Sequence, residues 1–215
     1  MYGSQFIRTL MQLNRLFRLP FLSLLVFSVL STACKKHDMD DMKHDSPLMK
    51  IMMDMMTQMD AQAKTQDPDH DFAAQMVLHH DAAIKMSEEE LRAGSNQEMK
   101  TIAQDVITKQ RAEITQFNTF LGSHQPMQPL VPQFNQIQKT NMDRMMAASN
   151  GRAMTMRTDV DYAQMMVDHH QAAIDNSEAL LQHGRNATMR QMAQAIITDQ
   201  RQEIAALQSW LSRNR

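Results

Sequence analysis

The sequence predicts an all-α protein: a four-helix bundle made of two repeated αα-hairpins, with short Met-rich helices beside it. Three observations carry this expectation. First, the segment from Asp69, DHDFAAQMVLHHDAAIKMSEEELRAGSN, repeats from Asp159 as DVDYAQMMVDHHQAAIDNSEALLQHGRN, and the match runs on without gaps to Leu121 and Leu211. Roughly half of these positions are identical at a constant offset of about 90 residues, far beyond chance. Second, apolar residues recur at i, i+3, i+4 and i+7 rather than in alternation, which is the period of a helix and not of a strand. Third, the 215 residues include only 5 Gly and 6 Pro, too few for the tight turns of an all-β protein. A 43% apolar share and a net charge of -2 suit a globular core. The near-neutral balance gives no footprint for nucleic acid. A single Cys excludes a disulfide framework and a Cys-based zinc site.

The elements follow in order. Residues 1–33 contain no Asp or Glu. Arg8, Arg15 and Arg18 precede the short apolar run Phe21–Leu30, which is the layout of a secretory signal and too short for an ordinary membrane-spanning helix. The string LSTAC ending at Cys34 resembles a bacterial lipoprotein signal, although Ser31 stands where Leu is commonest. That resemblance implies lipidation of Cys34 and anchoring of an exported protein in the periplasm or at the outer membrane; the other reading is an ordinary secretory signal with an incidental Cys. Without the three arginines the remainder is mildly acidic, at about -5. Residues 34–45 read as a polar tether. Residues 46–123 form the first repeat, opened by a Met-rich helix over about 46–63. Residues 124–215 supply a Pro-containing linker, a short helix over about 134–148 and the second repeat.

Within the first repeat, Phe72, Met76, His79, Ala83 and Met86 share one helical stripe, and Val77, His80, Ile84 and Leu91 the adjoining one. Asp69 or Asp71 is placed to cap the start, and Gly94 to end the helix. A second helix over about 96–121 turns Met99, Ile102, Ala103, Val106, Ile107, Ile114, Phe117 and Leu121 inward. The second repeat copies both helices, with Asp161 near the start and Gly184 at the turn. One hairpin cannot bury its apolar face alone, whereas two can, about an approximate two-fold axis. The long connection between them is of the kind found in ferritin-like bundles.

The chemistry lies in His and Met. Both repeats carry M-V-x-H-H-x-A-A-I, from Met76 to Ile84 and from Met166 to Ile174. This motif, duplicated with matching flanks, resembles the bacterial domain of unknown function 305 family, which occurs in one or two copies per chain. The resemblance implies a ferritin-like helical fold, and some relatives are described as copper-binding exported proteins.

Neighbouring helix residues point about 100° apart, so His79 and His80 are poorly placed to chelate one ion together. Met76 shares a face with either histidine; Met166 has the same relation to His169 and His170, and Met165 lies four before His169. Thioether and imidazole suit Cu(I), and with more nitrogen Cu(II). The candidate ligands are therefore Met76, His79, His80, Met86, Met165, Met166, His169 and His170, with one His from each repeat converging across the bundle. A Met stripe at this spacing is also ordinary core filling, which is the preferred reading for Met99, Met189 and Met192. A second candidate set, His37, Met39, Met42 and His44, lies in the tether; its alternative is a solvated charged segment leading into a packed helix. Gln110 with Glu113, and Gln200 with Glu203, are placed either to orient the histidines from behind or to make plain interhelical contacts.

No Glu-x-x-His, Gly-x-Ser-x-Gly, His-Glu-x-x-His or Gly-rich phosphate loop occurs. The expectation is a non-enzymatic, exported, lipid-anchored protein that buffers or delivers copper ion, with an envelope copper-handling partner and room for oligomers. A structural or protein-interaction lipoprotein with packed histidines is the alternative, and a ferroxidase-like enzyme the third reading.

Overall fold

The structure is a computed structural model and describes residues 46–214. The leader, Cys34 and the tether residues His37, Met39, Met42 and His44 lie outside the described residues. Six helices and no strands occur among those described: α1 (Pro47–Ala61), α2 (Pro68–Ala93), α3 (Gln97–Ser123), α4 (Pro132–Gly151), α5 (Thr158–His183) and α6 (Ala187–Arg213). The described residues are thus all-α, as expected, with each helix within a few residues of its anticipated place. The hairpins α2–α3 and α5–α6 pack against each other chiefly through α2 and α5. Helix α1 lies mainly on α2, and α4 on α5. The methionines of α1 are mostly core: Met49, Met52, Met55 and Met59 are buried, as are Met99, Met189 and Met192.

The two central helices run antiparallel, and two aspartates hold them so. Asp159, in the first turn of α5, accepts hydrogen bonds from the Ser95 and Asn96 amides and the Ser95 hydroxyl, in the turn after α2. Asp69, in the first turn of α2, accepts from the Arg185 and Asn186 amides after α5. Each repeat thus satisfies the exposed N–H groups that open the other repeat's second helix, where a helix N-terminus favours a negative charge. Asn96 and Asn186 complete the caps by accepting from the Met99 and Met189 amides.

Two expectations change in detail. The N-cap of α2 is Asp67, and that of α5 is Arg157, which makes no side-chain cap. Asp71 and Asp161 instead grip the preceding loops, through Thr65 and Gln66 in one repeat and Thr155 in the other. Those loops place Gln66 and Met156 at φ of 66° and 60°, a left-handed conformation costly for residues other than Gly, so the clamp has strain to hold. Gly94 and Gly184 do end their helices, but with φ of -66° and -73° rather than left-handed. They are needed for close approach: a Cβ on Gly184 would sit 2.7 Å from Asp69 Oδ1, and one on Gly94 would collide with the Glu90 carboxyl.

Glu90 is fully buried beside Asp159, whereas Leu180 occupies the matching place in the second repeat. Burial, reinforced by the neighbouring Asp159 carboxylate, pushes the Glu90 carboxyl up to about 8. Folded Glu90 therefore keeps its proton at pH values where the unfolded chain has lost it. Its contribution is full below the unfolded value near 4.5 and falls by about 1.4 kcal/mol per pH unit until pH approaches 8. Glu90→Gln should remove this dependence, so its urea midpoint should gain on the wild type between pH 5 and pH 8. Parallel pH profiles would contradict the assignment. Asp159→Ala should lose about 2–3 kcal/mol in urea unfolding, because two amides and a hydroxyl lose their acceptor; a loss under about 0.5 kcal/mol would mean that water replaces the clamp.

Candidate metal centre

Each His-His pair lies halfway along a 26-residue helix. Antiparallel packing of two such helices about a two-fold axis sets midpoint against midpoint. The sequence position of the histidines and the aspartate clamps at the ends together determine that they meet. His79 and His169 stack across the axis with ring centroids 3.6 Å apart and planes inclined by 32°. The neighbouring rings diverge, as helix geometry requires: His79 and His80 are 6.1 Å apart, and His169 and His170 6.2 Å. All four imidazoles are fully buried.

The methionines proposed as ligands divide between two apolar clusters. Met76 packs in one core cluster with Phe72, Phe117 and Phe120. Met86, Met165 and Met166 belong to the other, with Tyr162, Leu207, Trp210 and the methionines of α1 and α4. The His80 ring also meets the Phe117 ring edge-on at 5.7 Å. Every proposed Met ligand is thus buried in one of these two clusters.

The ring nitrogens of His79 and His169 have no side-chain partner, each ring meeting only the backbone of the opposite histidine, and Nδ1 of His80 and His170 has no partner. Burial, and after it the neighbouring imidazoles, holds His79 and His169 well below the ordinary histidine range. Both are neutral at neutral pH, which is the form that donates a lone pair to a metal.

Two glutamates from the outer helices stand behind the pairs. Glu113 Oε2 lies 2.7 Å from His80 Nε2, and Glu203 Oε2 lies 2.9 Å from His170 Nε2, in both cases off the line of a ring N–H hydrogen bond. Burial raises Glu203, but His170 and Lys109 outweigh it and bring the carboxyl down to about 2. Gln110 and Gln200 are buried one turn away, and their amide atoms have no partner. Glu88 and Glu178, which also match between repeats, are surface residues paired with Arg111 and Arg201.

Among the described residues, no three His, Cys, Asp or Glu side chains form a group that could hold a metal ion. Convergence in this fold gives two stacked imidazoles, with thioethers as the other soft donors buried in the adjoining clusters. Sequence reasoning missed the Glu90–Asp159 pair; its signal is the departure from repeat symmetry at Glu90 and Leu180. It also missed that Asp69 and Asp159 clamp the opposite repeat, for which no local pattern in the sequence gives a sign.

An all-helical bundle of two repeats with paired histidines at its centre defines a class of proteins. The family profile described as "Domain of unknown function (DUF305)" matches residues 20–121 and 122–211, and the chain belongs to that family. Solved structures agree in fold. A DUF305 fragment from Deinococcus radiodurans is 22% identical, with a TM-score of 0.52 over 70% of this chain and 98% of that one. A DUF305 protein of Streptomyces coelicolor, described as secreted, is 17% identical, with a TM-score of 0.55 over 70% and 94%. CopM in its Cu(I)-bound form is 23% identical, with a TM-score of 0.51 over 71% and 98%, and CopM has also been solved in a Cu(II)-bound form. No curated protein matches the chain.

Four buried imidazoles with unpartnered nitrogens are a stability cost, about 1–3 kcal/mol for each unsatisfied group. The double variant His79→Leu/His169→Leu, close in volume and apolar, should therefore melt at or above the wild-type temperature in metal-free buffer. A fall of 10 °C or more would instead make the stacked rings part of what holds the bundle together.

Proposed function

We propose that this protein binds copper in the cell envelope, buffering it or delivering it to a partner, with the paired histidines and adjoining methionines as ligands. The observation that carries this reading is the His79–His169 pair: two neutral, fully buried imidazoles, one from each repeat, with ring centroids 3.6 Å apart and no side-chain hydrogen-bond partner. Met76, Met86, Met165 and Met166 add thioether donors, and imidazole with thioether is a set that favours copper over hard cations. Glu113 and Glu203 lie 2.7 and 2.9 Å from the His80 and His170 rings, near enough to take up the carboxylate contact that metal-bound imidazoles usually require. Copper in both oxidation states bound to CopM, a protein of the same fold, supports the choice of metal.

Export fits the leader of residues 1–33, and the description of the Streptomyces coelicolor relative as secreted supports it. Among the described residues no helix is long and apolar enough to cross a membrane. A lipid on Cys34, with residues 34–45 as the tether, would then be the attachment. His37, Met39, Met42 and His44 are a looser copper-collecting segment on the same chain.

The test is copper titration of the purified protein under oxidising and reducing conditions, beside a variant with His79, His80, His169 and His170 all changed to Ala. Tight binding in the wild type and a loss of at least about 100-fold, or about 2.7 kcal/mol, in a folded variant is the expected result. Equal binding by both proteins would move the function to the tether methionines and histidines. Absence of binding in either would favour an interaction module with packed histidines.

A further inference from the structure

We infer that the groove between α3 and α6 at Glu113 and Asp199 is the route by which a hydrated divalent cation reaches the buried histidines, while the related position at Lys109 and Glu203 is latched. The inference rests on the copper-binding reading and adds to it a side of entry and the residues that control it.

Because all four imidazoles are fully buried, an ion reaches them only past other side chains. Glu113 spans that gap. It is 17% exposed and lines a groove of about 230 Å³ together with Lys109, Gln116, Met192 and Asp199, yet its Oε2 touches His80 Nε2 at 2.7 Å. Behind it, the His80 ring is fully buried and its Nδ1 has no partner. One carboxylate thus faces the solvent groove on one side and a ligand-ready imidazole on the other.

The second repeat builds the same glutamate and then closes it. Glu203 Oε2 contacts His170, but its Oε1 accepts from Lys109 Nζ at 2.8 Å, across from α3 to α6. Asp199 is the residue that stands in the second repeat where Lys109 stands in the first. Glu113 therefore has an acid, and not a lysine, on the facing helix. The two-fold symmetry kept by the histidines and glutamates is broken in this groove: Lys109, which lines it, is tied back to Glu203, while Glu113 and Asp199 line it as carboxylates. Asp105 adds a further negative charge nearby, near enough to act on the Lys109 ammonium together with Asp199. Oxygen donors of this kind attract a hydrated Cu(II) ion more than a soft monovalent one, and a negative cleft raises the rate of cation capture.

The test is the rate of Cu(II) uptake by the full protein, followed by stopped flow with a weak fluorescent Cu(II) indicator, alongside the equilibrium stoichiometry. Asp199→Lys, which copies the latch onto the open side, should slow uptake about tenfold or more with stoichiometry unchanged. Lys109→Asp, which opens the latched side, should speed it several-fold. Asp54→Lys, an exposed site on α1, makes the same charge change elsewhere and should leave the rate within about twofold of the wild type. Uptake by Asp199→Lys at the wild-type rate, or equal slowing by Asp54→Lys, would overturn the route while leaving copper binding in place. Failure of the wild type to take up Cu(II) at all would overturn the copper reading, and the route with it.

Discussion

The antiparallel contact of α2 and α5 is the constraint on which the molecule depends, because it brings His79 onto His169 at 3.6 Å. Two fully buried imidazoles without side-chain hydrogen-bond partners are an unfavourable centre for a small bundle. The contact is held from its ends. Asp69 and Asp159 each reach across to the other repeat's turn, and Gly94 and Gly184 clear the space in which Glu90 and Asp69 sit. Two apolar clusters, rich in Met and Phe, supply the burial that offsets the polar centre.

Duplication explains both the order and the exceptions in this arrangement. Where the repeats agree, as at the histidines, Glu113 and Glu203, or the two glycines, the residues lie on or close to the symmetric centre or its end clamps. Where they differ, the environment differs too. Tyr162 reaches the Ser87 hydroxyl, while the matching Phe72 has no hydroxyl to offer and Ser177 is left unpartnered. Glu90 stands against Leu180, and Lys109 against Asp199. These departures set the acid–base behaviour of the two halves apart without altering the backbone they share.

Much of the fold was legible in the sequence because helical periodicity and duplication are both local signals. Phe72, Met76, His79, Ala83 and Met86 lie on the buried face that their spacing gives, and the helix α4 falls between Pro132 and Gly151 where a shorter one was anticipated. The candidate site was legible only in its residue types. That His79 would meet His169, rather than His80 meeting His170, depends on the rotation of one helix against the other, which no spacing rule specifies. Glu113 and Glu203 share a helix face with Gln110 and Gln200, and the sequence left open whether they stand behind the histidines or make plain interhelical contacts. The cross-repeat clamps of Asp69 and Asp159 were not anticipated, since their partners lie 116 and 64 residues away along the chain.

The central claim is that the histidines at the two-fold axis are copper ligands. X-ray absorption spectroscopy of the copper-loaded protein at the Cu K edge addresses it most directly, because imidazole gives a distinctive outer-shell scattering pattern and sulfur a separate first-shell one. The account predicts imidazole scattering in the loaded protein, with a sulfur shell in the reduced form. A spectrum of oxygen or sulfur scatterers alone, without imidazole, would contradict it.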